Sequence, residues 1–367
     1  MKKIQRIDTL YEFLRVLLGM LIAFALCLVI IVLLTGREGA RDAIFNFMIG
    51  PFTSKRRFSQ VLSRMCPYIM CGCGMCFVYA SGRFSVISEG ILNIAPTLAF
   101  MLIFNSSFGA NVMPNLPKVV NQIIIVVLCA ISGGLIALIP AYGRERLGAD
   151  ETVTSTILNS ICVYIPTMII RDTIADHGAS YITTPQYPAN MRFTRYWHNT
   201  NLSEGVWYAI FFFFIALMIF YRTRVGTEIR ITGSNPSFAK YAGINIAITP
   251  LLGQVIGGVF AGIGSAIENF GAYDSFMMTQ LTNIGYDGLI IAVMARKQPI
   301  FVPFTAFFLA YLRTAAAVLN TNTNIPTELV TMLQAVIVFF VAAEGFLSKQ
   351  RQKSIIKVSE QQAKQEA

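Results

Sequence analysis

Charged residues are scarce in this chain of 367 residues, and their scarcity excludes most soluble proteins. Only 13% of the residues are charged, against roughly a quarter in typical soluble domains. Hydrophobic residues make up 55%, and the mean hydropathy is +0.60. Runs approaching 20 apolar residues recur, which is typical of transmembrane helices, whereas the alternating segments of a transmembrane β-barrel are missing. The sequence therefore predicts an all-α polytopic membrane protein.

Residues that carry covalent chemistry are also sparse. The two histidines, His177 and His198, lie in one polar loop, and neither has a nucleophile nearby in the sequence. The simpler interpretation is that both histidines are solvent-exposed loop residues and do not form a metal site. The adjacent carboxylates Asp150 and Glu151 point in different directions, which makes them a poor acid–base pair. We therefore expect neither an enzyme nor a cofactor.

The chain has seven cysteines, and an odd number excludes a complete set of internal disulfides. Four of them lie in the segment CPYIMCGCGMC, where Cys73 and Cys76 have the C-x-x-C spacing of zinc and redox sites. The segment continues into the apolar run FVYA, so helix packing by small, polarisable side chains is the favoured interpretation. The nucleotide-binding pattern G-x-x-x-x-G-K-[ST] is absent, so this chain does not cradle nucleotide phosphates in that way.

We identify ten apolar segments as candidate membrane spans. The eighth is too short to cross ~30 Å of hydrocarbon at ~1.5 Å per residue. It is either a broken helix or a helix that extends back toward Met277. The ten segments are 15–34, 62–80, 88–104, 119–141, 152–170, 206–221, 248–268, 284–295, 299–318 and 327–347.

Ten spans place both termini on one side of the membrane. Most of the 29 Lys and Arg residues then lie on the side of the termini, which identifies that side as the cytoplasm, although the cluster 55–57 falls outside. The net charge of +10 is thereby explained by membrane anchoring, without nucleic acid. The predicted organisation is a cytoplasmic N-terminus (1–14), a transmembrane domain (15–347) with an external loop (171–205) and a cytoplasmic loop (222–247), and a cytoplasmic tail (348–367).

The stretch 221–246, YRTRVGTEIRITGSNPSFAKYAGINI, is long and basic for so apolar a chain. Asn235 followed by Pro236 is typical of a helix start, because Asn caps the first turn and Pro loses no needed hydrogen bond there. The segment PSFAKYAG then predicts a helix of about two turns that ends at Gly243. Such a helix is either part of an ordinary connecting loop or a surface presented to a soluble partner.

Span seven carries small residues at spacings that let helix backbones approach closely. Gly257, Ala261 and Gly264 share one face, and Glu268 continues that face. Glu268 is therefore expected to point into the bundle and not toward lipid. The small-x-x-x-small pairs are Gly253 with Gly257 and Gly258 with Gly262.

Polar side chains at membrane depth are functional candidates, because burying them in hydrocarbon is costly. Asp287 lies between Gly285 and Gly288 and opens an apolar run. This pattern fits a cap on a broken helix whose free N–H groups face a pathway, or a simple cap at the membrane surface. The candidate pathway residues are Glu89, Asn93, Asn159, Glu268 and Asp287.

Four segments resemble those of the binding-protein-dependent ABC transporter permeases of the ribose, nucleoside and branched-chain amino acid type. Residues 223–244 resemble the coupling segment of the nucleoside and simple-sugar branch, T-x-x-G-x-x-x-R-x-x-G-x-N-P-x-x-A-x-Y-A-G-I. Residues 147–165 and 283–299 are similar to the family's G-x-N-E-x-x-S-T-I-M-L-N and G-F-D-G-I-A-V-A-L-L-x-x-x-x-P segments. The segment FSVISEGIL keeps Glu89 and Gly90 of the family's F-N-I-G-x-E-G-Q but departs from it at Ser85, Ile87 and Ile91.

This resemblance implies the permease subunit of an ABC importer for a nucleoside or a simple sugar. The implied partners are a separate ATPase subunit, a second permease subunit and an extracytoplasmic solute-binding protein, and the implied location is the bacterial plasma membrane. From the residues alone, a stand-alone secondary transporter or channel remains the alternative. The residues expected to dock on the ATPase are Arg230, Gly233, Asn235, Pro236, Ala239, Lys240, Tyr241 and Gly243.

Overall fold

The computed structural model describes residues 41–175, 178, 182–197, 200–277 and 280–322, with the isolated positions 25, 28, 29 and 32. These residues form helices and irregular connections, apart from one isolated bridge between Arg195 and Ser203. The terminal segment 1–14, the predicted span 327–347, the tail 348–367 and both histidines lie outside the described residues. So does the predicted span 15–34, except for the four isolated positions.

Seven helical segments in the described part of the chain are long and apolar enough to cross a membrane. Each coincides with a predicted span, so seven of the ten predicted spans are confirmed as helices of spanning length. The helices are α1 (Lys55–Ala80), α2 (Ser88–Asn105), α3 (Ser107–Asn111), α4 (Lys118–Leu147), α5 (Glu151–Thr173), α6 (Gly205–Arg222), α7 (Arg224–Ser234), α8 (Pro236–Tyr241), α9 (Ile248–Gly271), α10 (Ile284–Met294) and α11 (Val302–Asn322).

The chain divides into two units. One comprises residues 55–310 and contains α1 to α10. The other comprises residues 1–54 and 311–367, and in its described part the Tyr311 hydroxyl donates to the Met48 carbonyl. Gly50 packs against Val318 in the same unit.

Helix α9 packs against two neighbours through two glycine faces. A Cβ atom at Gly262 would lie 2.1 Å from the Cys129 carbonyl oxygen of α4, and one at Gly74 of α1 would lie 2.6 Å from the Gly257 carbonyl oxygen. No side chain fits at these positions, so the helix backbones touch. The close packing predicted from the glycine spacing is confirmed.

A proline inside α2 provides a link between α2 and α9. Pro96 has no N–H group, so the Leu92 carbonyl lacks its helical donor. The Ser265 hydroxyl of α9 donates to that oxygen at 2.7 Å, and the Asn269 side-chain amide approaches it at 3.5 Å. The part of α2 around Pro96 is therefore held against α9.

The cysteines of α1 lie in these helix contacts. All four are buried and free. Cys71 packs so closely on α10 that a Cβ atom at Gly288 would lie 2.4 Å from the Cβ of Cys71. Their surroundings therefore match the packing role expected from the sequence.

The predicted eighth span is the short helix α10. It has 11 residues and is about 16 Å long, roughly half the thickness of the hydrocarbon. Asn283 precedes it with a φ angle of +62°, and the described residues between 272 and 283 are not helical. The structure therefore shows a short helix and not one extended back to Met277.

Candidate functional site

The carboxylate of Glu89 caps the start of α10. Glu89 is the second residue of α2 and is 0% exposed. One carboxylate oxygen accepts from the Asn283 N–H at 2.6 Å and the Thr282 hydroxyl at 3.2 Å, and the other accepts from the Gly285 N–H at 2.7 Å. Free N–H groups and the positive end of the helix dipole both favour an anion at this position. Glu89 therefore joins α2 to α10 by a buried cap.

The backbones of the two helices touch beside this cap. A Cβ atom at Gly285 would lie 2.4 Å from the Glu89 nitrogen. Gly285 therefore permits the approach that brings the α10 amides within reach of the carboxylate.

Asp287 is not the cap of α10, so the prediction that it caps the broken helix is wrong. It lies in the first turn of the helix, is buried, and accepts a hydrogen bond from the Tyr68 hydroxyl of α1 at 2.5 Å. The cap comes from a carboxylate on another helix, which the sequence near Asp287 does not reveal. Asp287 instead links α10 to α1.

Asn159 connects α5 to the same place. Its side-chain oxygen accepts from the Gly90 N–H at 2.9 Å, and its amide donates to the Val86 carbonyl at 3.0 Å and to the Tyr286 hydroxyl at 3.3 Å. We call this group the buried cluster; its members are Tyr68, Glu89, Asn93, Asn159, Tyr286 and Asp287.

Asn93 lies one turn after Glu89 and is also fully buried. Its amide donates to the Glu89 carbonyl at 3.2 Å, while its side-chain oxygen has no hydrogen-bond partner among the described residues. An unpartnered buried acceptor is unusual in a folded protein, because burying it without a hydrogen bond costs free energy.

Glu268 lies on a different contact. It is buried on α9, and Arg64 of α1 is the cation that acts on it electrostatically. The structure thus brings together Glu89, Asn93, Asn159 and Asp287, and it places Glu268 along the packing of α9 with α1.

The basic segment (residues 222–247) contains α7 and α8. The Asn235 side chain accepts from the Phe238 N–H at 3.0 Å, and Pro236 is the first residue of α8. Gly243 follows the helix with a φ angle of +76°. The predicted short helix is confirmed, with its predicted start and end signals.

One face of α8 is buried and the others are exposed. Ala239 is 0% exposed, whereas Phe238 is 57% exposed and Tyr241 is 92% exposed. Lys240 is exposed beside them. The helix therefore presents two aromatic rings and one cation to the surroundings.

Arg230 and Gly233 face the protein itself. The Arg230 guanidinium lies over the Phe220 and Tyr221 rings, 5.3 and 5.6 Å from their centroids. A Cβ atom at Gly233 would lie 2.0 Å from the Ala80 carbonyl oxygen. Both residues thus hold α7 against α6 and α1.

A cavity of about 300 Å³ at the other end of α9 was not anticipated from the sequence. Lys118, Arg192 and Arg195 line it together with aromatic rings. Asp274 pairs with Arg192 at 2.6 Å and with Arg195 at 3.1 Å. The sequence shows these residues only as part of a polar loop, because the pairs join positions about 80 residues apart.

Glu204 holds Lys118 at the same end, at 3.1 Å. Partial burial raises the pKa of Glu204, but hydrogen bonds from Gln122, Thr194 and Lys118 together outweigh it and hold the pKa at about 2. Glu204 is therefore ionised over the physiological range.

Comparison with known proteins gives a consistent set of relatives. The family model described as branched-chain amino acid transport system / permease component matches residues 57–342. The nucleoside ABC transporter permease protein NupB of Lactococcus lactis subsp. cremoris is 29% identical, over 86% of this chain and 87% of the relative. The guanosine ABC transporter permease protein NupP of Bacillus subtilis is 26% identical, over 77% and 80%. The glucose ABC transporter permease protein TsgB13 of Haloferax volcanii is 23% identical, over 84% and 82%. No solved structure matches.

Proposed function

The chain belongs to the family of permease components of branched-chain amino acid transport systems, and from that premise we propose that it forms the translocation pathway for a nucleoside or a simple sugar. It is a multi-pass permease subunit of an ABC importer and not an enzyme. Relatives named for nucleosides, guanosine and glucose support this solute class. The family implies an ATPase and a solute-binding protein as partners. We add a second permease subunit to this assembly.

The geometry of α8 is the observation that carries the proposed coupling role. This helix is capped at both ends, is anchored through Ala239, and exposes Phe238, Lys240 and Tyr241. Exposed aromatic side chains on a rigid helix are suited to a groove on a partner. The basic segment then docks on the ATPase, whose motion displaces α7 and α8.

This role orients the chain. The basic segment faces the cytoplasm, both termini lie on the same side, and the loop 171–205 lies outside, where the solute-binding protein docks. The excess of Lys and Arg on the side of the termini supports this orientation. The chain lies in the plasma membrane of the cell.

The buried cluster and Glu268 line the pathway in this proposal. Their polar groups lie among apolar helices, where each unpaired group is costly and therefore suggests a function. The unpartnered oxygen of Asn93 is the acceptor in the cluster that is free for a hydroxyl or amino group of the solute.

The variant Ala239→Pro tests the coupling role. The Ala239 N–H donates to the Asn235 carbonyl at 3.0 Å, and proline removes this bond in a helix of six residues. We expect loss of co-purification with the ATPase and loss of ATP-dependent uptake, while the chain still inserts into the membrane. The control Ser237→Ala changes an exposed residue of the same helix and should retain both properties.

Normal ATP-dependent uptake by Ala239→Pro would overturn the coupling role. The solute class is tested separately by thermal-shift measurements on the associated binding protein with a panel of nucleosides and monosaccharides. Stabilisation by amino acids alone would exclude the proposed class.

A further inference from the structure

The turn that joins α1 to α2 contacts four other helices within ten residues. We call residues 81–90, which run from the end of α1 into the first turn of α2, the connecting segment. Its contacts begin at α7 in the basic segment, continue along α4 and α5, and end at α10 in the buried cluster. It is thus a continuous physical link between the two regions described above.

The first contact is between two backbones. Gly82 has a φ angle of +76°, and a Cβ atom there would lie 3.2 Å from the Gly233 Cα of α7. No side chain lies between the Gly82 backbone and the Gly233 backbone. Packed interiors have low compressibility, and no side-chain rotamer lies between α7 and this turn that could absorb a displacement of α7.

The middle of the connecting segment is held by neighbouring helices. Residues 83–86 are not helical. Arg83 pairs with Glu145 of α4, and the Val86 N–H donates to the Ser155 hydroxyl of α5 at 3.2 Å. Asn159 of α5 donates to the Val86 carbonyl at 3.0 Å. The position of this stretch is therefore set by contacts outside it.

The last contact is the cap on α10. Glu89 is three residues beyond Val86 and holds the amides of Asn283 and Gly285. Helix α10 is thus attached to the first turn of α2 at this end. Its other described anchor in the cluster is the hydrogen bond from Tyr68 to Asp287.

We propose that the connecting segment positions the buried start of α10 according to the displacement of the basic segment, with Gly82 and Glu89 as positioning residues. This inference rests on the proposed function, since an ATPase must move the basic segment. Contiguous packed and hydrogen-bonded elements can carry coupling between distant sites, and the connecting segment is such a series of contacts.

The test compares two glycines that share a backbone conformation. Gly82 and Gly148 each follow a helix and have φ angles of +76° and +65°. A Cβ atom at Gly148 meets nothing within 4 Å, whereas one at Gly82 meets Gly233. The variants Gly82→Ala and Gly148→Ala therefore share the backbone strain of a left-handed alanine and differ in the contact with α7.

Transport is measured in proteoliposomes that contain the complete transporter, as solute imported per ATP hydrolysed. We expect Gly82→Ala to lower this ratio at least fivefold and Gly148→Ala to change it less than twofold. Both should co-purify with the ATPase. Hydrogen exchange of residues 283–294, with and without ATP, is the second readout. Its ATP-dependent change should be lost in Gly82→Ala and kept in Gly148→Ala.

Equal transport ratios and equal exchange in the two variants would overturn the proposal. If Gly82→Ala does not assemble, the hydrogen exchange of residues 283–294 in Glu89→Gln carries the test, because this variant keeps one acceptor oxygen and weakens the cap. Unchanged exchange in Glu89→Gln would also overturn it. The proposed function fails on a different result, namely normal uptake by Ala239→Pro.

Discussion

The starts of α8 and α10 are capped in opposite ways. Asn235 caps α8 from a position three residues away, in an exposed segment. Glu89 caps α10 from another helix, 194 residues earlier than the amide it binds, in a fully buried site. Both caps satisfy the amides that a helix start leaves free, but only one of them depends on the tertiary structure.

The difference has a mechanical consequence. A helix with a local cap keeps its shape wherever its segment moves, which suits a surface that docks on a partner. A helix whose cap lies on another helix changes its environment when that helix moves. The local cap therefore favours rigid docking at α8, and the remote cap favours coupled motion at α10.

Removal of the remote cap should have the largest effect. Glu89→Ala leaves the amides of Asn283 and Gly285 without their acceptor in a buried site, and each orphaned donor costs about 1–3 kcal/mol. We expect the free energy of unfolding, measured by SDS titration in mixed micelles, to fall by about 3 kcal/mol or more. Glu89→Gln should lose less. Stability within about 0.5 kcal/mol of the wild type would show that the cap is dispensable.

Removal of the second link of α10, the hydrogen bond from Tyr68 to Asp287, should lower the free energy of unfolding by a smaller amount. Tyr68→Phe removes the hydroxyl that donates to Asp287 and keeps the ring. The expected loss is about 1–2 kcal/mol in the same unfolding measurement. A loss larger than that of Glu89→Ala would reverse the order of the two anchors.

The local cap should matter little for global stability and much for assembly. Asn235→Ala costs about 1 kcal/mol at the start of α8, and this cost appears as local fraying. We expect nearly unchanged global unfolding and weaker binding of the ATPase in a pull-down titration. Asn235→Asp keeps a capping oxygen and should bind as the wild type does. Equal binding by all three proteins would contradict the docking role of α8.

Substitution of Glu204, at the start of α6, should have the smallest effect on stability. Glu204 precedes α6, is partly exposed, and accepts from Gln122 and Thr194. Its pKa is held at about 2, below the ordinary value, so its contribution to stability is present above about pH 4.5 and is lost as the pH falls toward 2. Glu204→Gln should flatten the dependence of the melting temperature on pH in that window. An unchanged pH profile would show that the hydrogen bonds to the Glu204 carboxylate do not contribute to stability in this pH range.

Predictions from the sequence succeeded where the signal lies within one helix. Asn235, Pro236 and Gly243 delimit α8 as predicted, since capping acts over a few residues. The glycine pairs of α9 indicated close packing correctly, although not which helix each face meets. The predictions were weaker for Asp287, whose role as a cap is taken by Glu89, and for the loop containing Arg192 and Arg195, whose partner Asp274 is distant in the sequence.

The sequence by itself determined the length and apolarity of the seven confirmed spans, the short helix α8, and the small-residue faces of α9. These features depend on residues a few positions apart on one helix, whose geometry is regular. Only the tertiary structure decided that Glu89 holds α10, that Ser265 satisfies the carbonyl freed by Pro96, and that Gly82 touches Gly233. These contacts join residues 151 to 196 positions apart, so they depend on which helix faces meet, and no local pattern encodes that choice.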